Sequence, residues 1–445
     1  MKPARLGDVA ESMKNGMYKP ASEYGDDGIP CLRMYNIDAG GIAWRDIKRM
    51  RVTDAERVDY GLLEGDLLVN RVNSRELVGK TALIPFGMEA SVFESKNIRL
   101  RLRADKARSK FINYQLFASG RRHFASNAQQ VVGMASISQT QLADFPIVLT
   151  GLEQQDEIIA ELDKQFSRLD EAVANLQRVK ANLKRYKASV LKDAVEGRLV
   201  PTEAELARRE CRCFETGEQL LQRILETRRS QWNGRGKCRT PDAPERDTLE
   251  LPEGWSWSSI DQLAHVGTGA TPNRSKVEFW IDGDVPWVTS GVANGEYVDT
   301  ASEFVTQSAL AETNLTLYPV GTLLIAMYGE GKTRGKCAEL RIPASTNQAL
   351  AALQVNDQVR AYLRHFLELN YEEMRKVAAG GVQPNLNLSL VRAVAVPLPP
   401  IAEQIRIVAE VDRRISLVRS VVAEVDANLK RAQALRQATL LKAFS

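Results

Sequence analysis

Sliding the 445-residue sequence along itself exposes an internal repeat, and no other feature narrows the possible folds as far. Leu149, Gln155, Ala160, Glu161, Asp163, Ser167 and Ala194 recur, without a gap, as Leu398, Gln404, Ala409, Glu410, Asp412, Ser416 and Ala443. Apolar positions keep the same phase: Leu152, Ile158, Ile159, Leu162, Phe166, Leu169, Val173 and Leu176 become Ile401, Ile407, Val408, Val411, Ile415, Val418, Val422 and Val425. Upstream the match is fainter. Pro30 answers Pro286, residues 64–69 answer 320–325, Gly79-Lys80 answers Gly335-Lys336, and Ser95-Lys96-Asn97 resembles Ser345-Thr346-Asn347. Each copy is therefore a diverged globule followed by a well-matched segment, and so long a period means domain duplication rather than a solenoid.

The two matched segments, residues 152–196 and 401–444, carry apolar residues at alternating spacings of three and four and contain no proline. That pattern predicts two long helices with one apolar seam each. A lone helix of this kind is not stable in water, and the duplicated mate is the available partner. In the order globule, helix, globule, helix, a two-fold relation makes the helices antiparallel, a rod of roughly 65 Å for ~45 residues, with a globule at either end and the chain ends close together. Inside the globules, short β-rich runs at 66–70, 97–103, 284–289 and 322–327 are bounded by Gly, Pro and Asn, with helical patches near 110–119 and 359–374. The expected fold class is α+β: two mixed α/β globules separated by a long antiparallel two-helix coiled coil, with pseudo-two-fold duplication. The expected boundaries are 1–148, 149–197, 198–250, 251–397 and 398–445. Residues 198–250 read as a linker with one helix near 215–230.

Composition sets the remaining bounds. Hydrophobic residues at 44% and charged residues at 26% are globular values and exclude a disordered or collagenous chain. Sixty Lys and Arg against 56 Asp and Glu leave a charge of +4, so a nucleic-acid surface would have to come from local clustering. Five cysteines and a polar start fit a reducing cytoplasm, and residues 315–327, the most apolar window, fall short of the ~20 that a bilayer requires.

Local motifs then give the pattern a resemblance. Asn385-Leu386-Asn387 leads to Val396-Pro397-Leu398-Pro399-Pro400-Ile401-Ala402-Glu403-Gln404 and, at the far end of the segment, to Lys442-Ala443-Phe444. The linker holds Glu196-Gly197-Arg198-Leu199-Val200-Pro201 and Leu251-Pro252-Glu253-Gly254-Trp255. The whole chain resembles the specificity (S) subunit of a type I restriction-modification system. The first copy departs from the pattern, with Ser136-Ile137-Ser138 and Thr150-Gly151 where the second has Asn and Pro-Pro. The resemblance implies a noncatalytic subunit whose two target recognition domains each read one half of a bipartite, asymmetric DNA sequence. It implies helices that set the spacer and dock two modification subunits, which bring S-adenosylmethionine and methylate adenine, with ATP-driven restriction subunits as optional further partners. The competing reading is a coiled-coil scaffold that joins proteins without touching DNA.

Candidate contacts lie in the globules. Residues 326–333 match a loose phosphate-loop pattern, but a working loop feeds a helix N-terminus, and residues 334–343 read as a strand. The remaining readings are a Gly-rich basic loop approaching DNA, through Tyr328, Lys332, Thr333 and Arg334, or a hairpin turn with solvated charges. Its counterpart runs from Asn70, Arg71, Asn73 and Arg75 to Lys80. Arg, Asn and Gln make paired hydrogen bonds to base edges in the major groove. Gln129-Gln130 and Gln383 precede the long helices and either read adenine or serve turns and caps. Arg33, Lys96, Asn97, Thr289, Ser290 and Asn347 complete the DNA-binding set. Arg99, Arg101 and Arg103 alternate onto one strand face, to grip phosphate or to face solvent. Basic runs at Arg178, Lys180, Lys184, Arg185 and Lys187, and at Arg413, Arg414, Arg419, Lys430 and Arg431, allow the same two readings. No Asn/Asp-Pro-Pro-Phe/Tyr methyltransferase motif occurs, His123, His265 and His365 are isolated, and Cys211, Cys213 and Cys238 lack zinc spacing. No cofactor or metal is expected in this chain.

Overall fold

The computed structural model describes residues 1–131, 133–231, 239–244, 250–328, 332–379 and 385–445. They form two compact units, Met1–Val179 with Glu424–Ser445, and Lys180–Ala423. The two matched segments are helices, Leu152–Val195 and Ile401–Ala443. Each contributes to both units.

The core of the first unit is a four-stranded antiparallel sheet in the order Ala10–Asn15, Asn97–Leu102, Leu67–Asn70, Thr81–Leu83. Strand Leu67–Asn70 is buried throughout, since both faces are covered. Leu67 and Val69 pack with Phe111, Ile112, Leu116 and Phe124, while Leu68 packs with Leu32, Ile37 and Phe93. A three-stranded sheet, Val92–Phe93, Tyr24–Leu32, Lys48–Met50, lies on that second side. The helices meet here as an antiparallel pair. Leu162 and Phe166 share a cluster with Leu440, Ala443 and Phe444, and Arg436 bridges to Asp170 and covers the Phe166 ring at 4.8 Å.

The second unit repeats the plan. Its sheet runs Ala264–Thr268, Leu350–Val355, Leu323–Ala326, Cys337–Leu340, Tyr297–Val298, beside a smaller sheet, Glu303–Val305, Val285–Val288, Ser345–Thr346. Val190, Leu191 and Ala194 of one helix share a core with Ile407, Val411 and Ile415 of the other.

Hydrogen bonds reproduce the faint upstream repeat atom for atom. Gly65 N–H donates to Ile84 O at 3.1 Å, and Gly321 N–H to Leu340 O at 2.8 Å. Gly79 N–H donates to Asn70 O at 2.8 Å, and Gly335 N–H to Ala326 O at 2.8 Å. Gly79 and Gly335 share the left-handed φ, +81° and +84°, which a side chain would strain. The repeated aspartate does the same work twice: Asp163 accepts from Tyr114 and from Lys110 Nζ at 2.6 Å, and Asp412 lies 3.0 Å from His365 Nε2. Each ties a long helix to the helix of its globule. The first copy's departure at Ser138 is conservative, because Ser138 and Asn387 both cap the short helix that follows, through Gln141 N and Leu390 N.

The stretch read as a linker is more structured than expected. Besides Gly217–Ser230 it contains a helix at Glu203–Glu210, opened by a Thr202/Glu205 capping box. Leu220, Leu221 and Ile224 are buried in the second unit's core.

Candidate nucleic-acid interface

Two loops stand side by side in each unit. In the second, strand Val285–Val288 runs into Thr289 and the turn Ser290–Asn294, while strand Leu323–Ala326 runs into Met327 and Tyr328. Asn347 joins them, its N–H donating to Val288 O at 3.0 Å, and Met327 N–H donates to Ala349 O at 2.8 Å. Asn294 is the hub. Its Oδ1 accepts from Lys336 Nζ at 2.9 Å and from Thr333 Oγ1 at 3.3 Å. Tyr371 OH holds Lys332 O at 2.7 Å, and Arg375 Nη1 holds Arg334 O at 3.3 Å. Thr289, Ser290, Tyr328, Lys332, Thr333, Arg334 and Asn347 thus come together at one end of the sheets, with Tyr328 and Lys332 exposed. The element after the Gly-rich stretch is strand Cys337–Leu340, antiparallel to Leu323–Ala326, so no helix N-terminus receives a phosphate there.

In the first unit the turn Met34–Asn36 lies beside residues 71–80. Arg33 Nε donates to Glu94 Oε2 at 3.1 Å and its guanidinium lies 5.4 Å from the ring centre of Tyr35, a residue that is 61% exposed. Lys80 Nζ donates to Ile37 O at 3.3 Å. Arg75 Nε donates to Ala125 O at 3.0 Å, and Arg71 Nη1 to Ser95 O at 3.4 Å. Strand Gln129–Val131 pairs with Met134–Ser136, which pairs with Val72–Asn73, and so brings exposed Gln129 to the same sheet. The side chain of Gln130 and all of Gln383 lie outside the described residues.

The three candidate asparagines of this unit are placed differently from their sequence expectation. Asn70 and Asn97 are fully buried and Asn73 nearly so. Asn70 Nδ2 donates to Asn97 Oδ1 at 3.1 Å and to Lys96 O at 3.0 Å, and Asn73 Nδ2 donates to Asn70 Oδ1 at 2.8 Å. These amides satisfy strand ends instead of offering an edge to a duplex, and a buried amide left without such partners would be costly. The arginine row also turns inward. Arg99 Nη1 donates to Gly61 O at 2.7 Å, Arg101 makes a two-pronged pair with buried Asp66 at 2.8 Å, and Arg103 Nη2 donates to Asp8 O at 2.6 Å. On the helices, Arg413 and Arg414 pair with Glu410 at 2.8 and 2.6 Å, and Lys187 with Glu368 at 2.5 Å. Among the described residues no group of three metal-ligating side chains occurs, and no helix is long and apolar enough to cross a membrane.

The family described as the type I restriction modification DNA specificity domain matches residues 252–419, which contain both loops of the second unit. The MjaIX specificity subunit of a type I restriction enzyme from Methanocaldococcus jannaschii is 26% identical over 206 residues, 45% of each chain. The EcoR124I/EcoR124II specificity subunit from Escherichia coli is 24% identical over 169 residues, 37% of this chain and 42% of the relative. Residues 252–419 thus match the type I restriction modification DNA specificity domain. The matched stretch spans less than half the length of either relative. A chain from a solved structure concerned with assembly and conformational transition of the type I R-M system superposes with a TM-score of 0.65 at 18% identity, covering 100% of this chain and 97% of that one. The likeness is one of fold, and it spans both units.

On this scaffold the loop pairs are the natural place for variation, since loops on a rigid scaffold carry function. Arg33, Arg71 and Arg75 have Thr289, Met327 and Gly331 as their repeat partners, so the two copies differ at the candidate contacts. Sequence reasoning missed Asn294 and Tyr35. The signal was available for Asn294, because the repeat offset sets 290–294 opposite 34–38.

Proposed function

We propose that this chain is the DNA sequence-recognition subunit of a type I restriction-modification complex. Each globule reads one half of a bipartite, asymmetric target with its pair of loops. The long helices set the spacer and dock two modification subunits, which bind S-adenosylmethionine and methylate adenine; restriction subunits join in complexes that cut. The chain is noncatalytic by itself and works in the cytoplasm on double-stranded DNA. The observation that carries this reading is the specificity-domain match at 252–419 on a unit whose loop geometry recurs in the other.

The purified chain with its modification subunits is expected to bind duplex DNA with log K falling linearly, and steeply, against log salt concentration. A scaffold that joins proteins without DNA contact would give no such binding. Sequencing of methylated adenines in the host genome should return one split, non-palindromic motif. A continuous or palindromic motif would overturn the division of labour between the globules.

A further inference from the structure

The two globules have diverged at almost every candidate contact, yet one cation is kept in register. Asn70, Arg71, Asn73 and Arg75 face Ala326, Met327, Gly329 and Gly331 across the repeat, whereas Gly79-Lys80 faces Gly335-Lys336. The turn around each lysine is the same: Asn70 N–H donates to Lys80 O at 2.8 Å and Ala326 N–H to Lys336 O at 3.0 Å, while Lys80 N–H meets Leu77 O at 3.4 Å and Lys336 N–H meets Thr333 O at 3.0 Å. Both side chains are half-buried and cross to the neighbouring turn of their own globule. Lys80 Nζ ends on Ile37 O at 3.3 Å and Lys336 Nζ on Asn294 Oδ1 at 2.9 Å. Those two acceptors sit at adjacent repeat positions, just after Met34–Asn36 and at the end of Ser290–Asn294.

A residue that reads a base has to differ between halves that read different sequences. A residue that holds the reading loops at a set distance does not. We propose that Lys80 and Lys336 are positioning residues: each is an internal strut that fixes the two recognition loops of its globule relative to each other, and neither neutralises a DNA phosphate. The inference rests on the DNA-recognition reading above and adds to it the device that keeps loop geometry constant while loop sequence changes.

The test uses the full chain with Lys80→Met and Lys336→Met, which keep most of the apolar stem and remove the donors. Amide hydrogen exchange needs no DNA. Lys80→Met should speed exchange in residues 34–38 and 71–79 by about tenfold, the scale of losing a hydrogen bond to a charged group, and leave 290–294 unchanged; Lys336→Met should do the reverse. Unchanged exchange in both loops overturns the strut. The second readout is binding, with the modification subunits, to the methylated target and to duplexes with either half scrambled. Each variant should weaken the intact target and the duplex keeping its own half, lose that effect when its own half is scrambled, and leave the salt slope as in wild type. A uniform loss on all duplexes with a slope reduced by about 0.9 identifies a phosphate contact and overturns the proposal. Absence of salt-dependent binding by the wild-type complex would instead sink the recognition reading, with exchange still deciding the strut. Lys80→Arg and Lys336→Arg guard against misfolding: they keep the charge, so a phosphate contact would be retained, whereas a strut of changed length should still alter exchange.

Discussion

On the proposed function, replacing residues 1–148 with the corresponding globule of a relative should change one half of the methylated motif and leave the other half as it was. All candidate contacts of the first unit, from Arg33 through residues 71–80 to Gln129, fall inside that stretch, and the loops are held by partners inside it too: Glu94, Ile37, Ser95 and Ala125. The second unit's loops are held by Asn294, Tyr371 and Arg375, all outside it. The graft succeeds only if it brings groups equivalent to Lys110 and Tyr114 for Asp163 and to Phe111 for Phe444, because these seat the globule on the helices. Sequencing of methylated sites reads the outcome, and a change in both halves would refute independent reading.

Glu403→Ala should destabilise the second unit by about 3 kcal/mol, from two buried donors left unpaired at roughly 1–3 kcal/mol each. Glu403 is fully buried at the start of the second long helix, where its carboxylate accepts from Trp255 Nε1 at 3.0 Å and from Glu203 N–H at 2.8 Å. Burial raises its pKa above the ordinary glutamate value. A group whose folded pKa is raised favours the folded state most when protonated, so its own contribution declines as pH rises through and above the ordinary glutamate range. Glu203 acts in the opposite direction. Burial would raise its pKa, but hydrogen bonds from Arg406 and Arg212 outweigh that and hold it low, so its stabilisation is lost as pH falls. Denaturant melts of Glu403→Ala and Glu403→Gln across pH 4 to 7 would separate the two: the alanine variant should lose stability throughout that range, and a midpoint unchanged in Glu403→Ala would contradict the account.

What the sequence made legible was periodic. The long helices show in their three- and four-residue spacing, and the duplication shows because the seam tolerates only apolar exchange. The site was legible only by residue type. An asparagine that pairs with adenine has the same amide as one that closes a strand end, and only burial tells Asn70, Asn73 and Asn97 apart from surface readers. Strand alternation set Arg99 and Arg101 on one face, but that face offers Gly61 O and Asp66, which take up the two guanidinium groups. The helix at Glu203–Glu210 was announced by Thr202 and Glu205, three residues apart, and hidden by the nearby Gly197 and Pro201, which read as breakers.

The first unit is closed by residues 424–445, which follow the whole of residues 180–423 in the chain. Leu440 is fully buried there, Gln437 donates to Ala118 O at 2.5 Å, and the Phe444 ring meets Phe111 edge-on at 5.3 Å. A ribosome working at about 5–20 residues per second takes roughly ten to fifty seconds to cover the intervening stretch. Throughout that interval Phe111, Leu162 and Phe166 are without their cover, while every residue of the second unit is already made before Glu424 is added. The globule that begins first during synthesis is therefore completed last, and the nascent chain carries an open apolar face for most of its time in production.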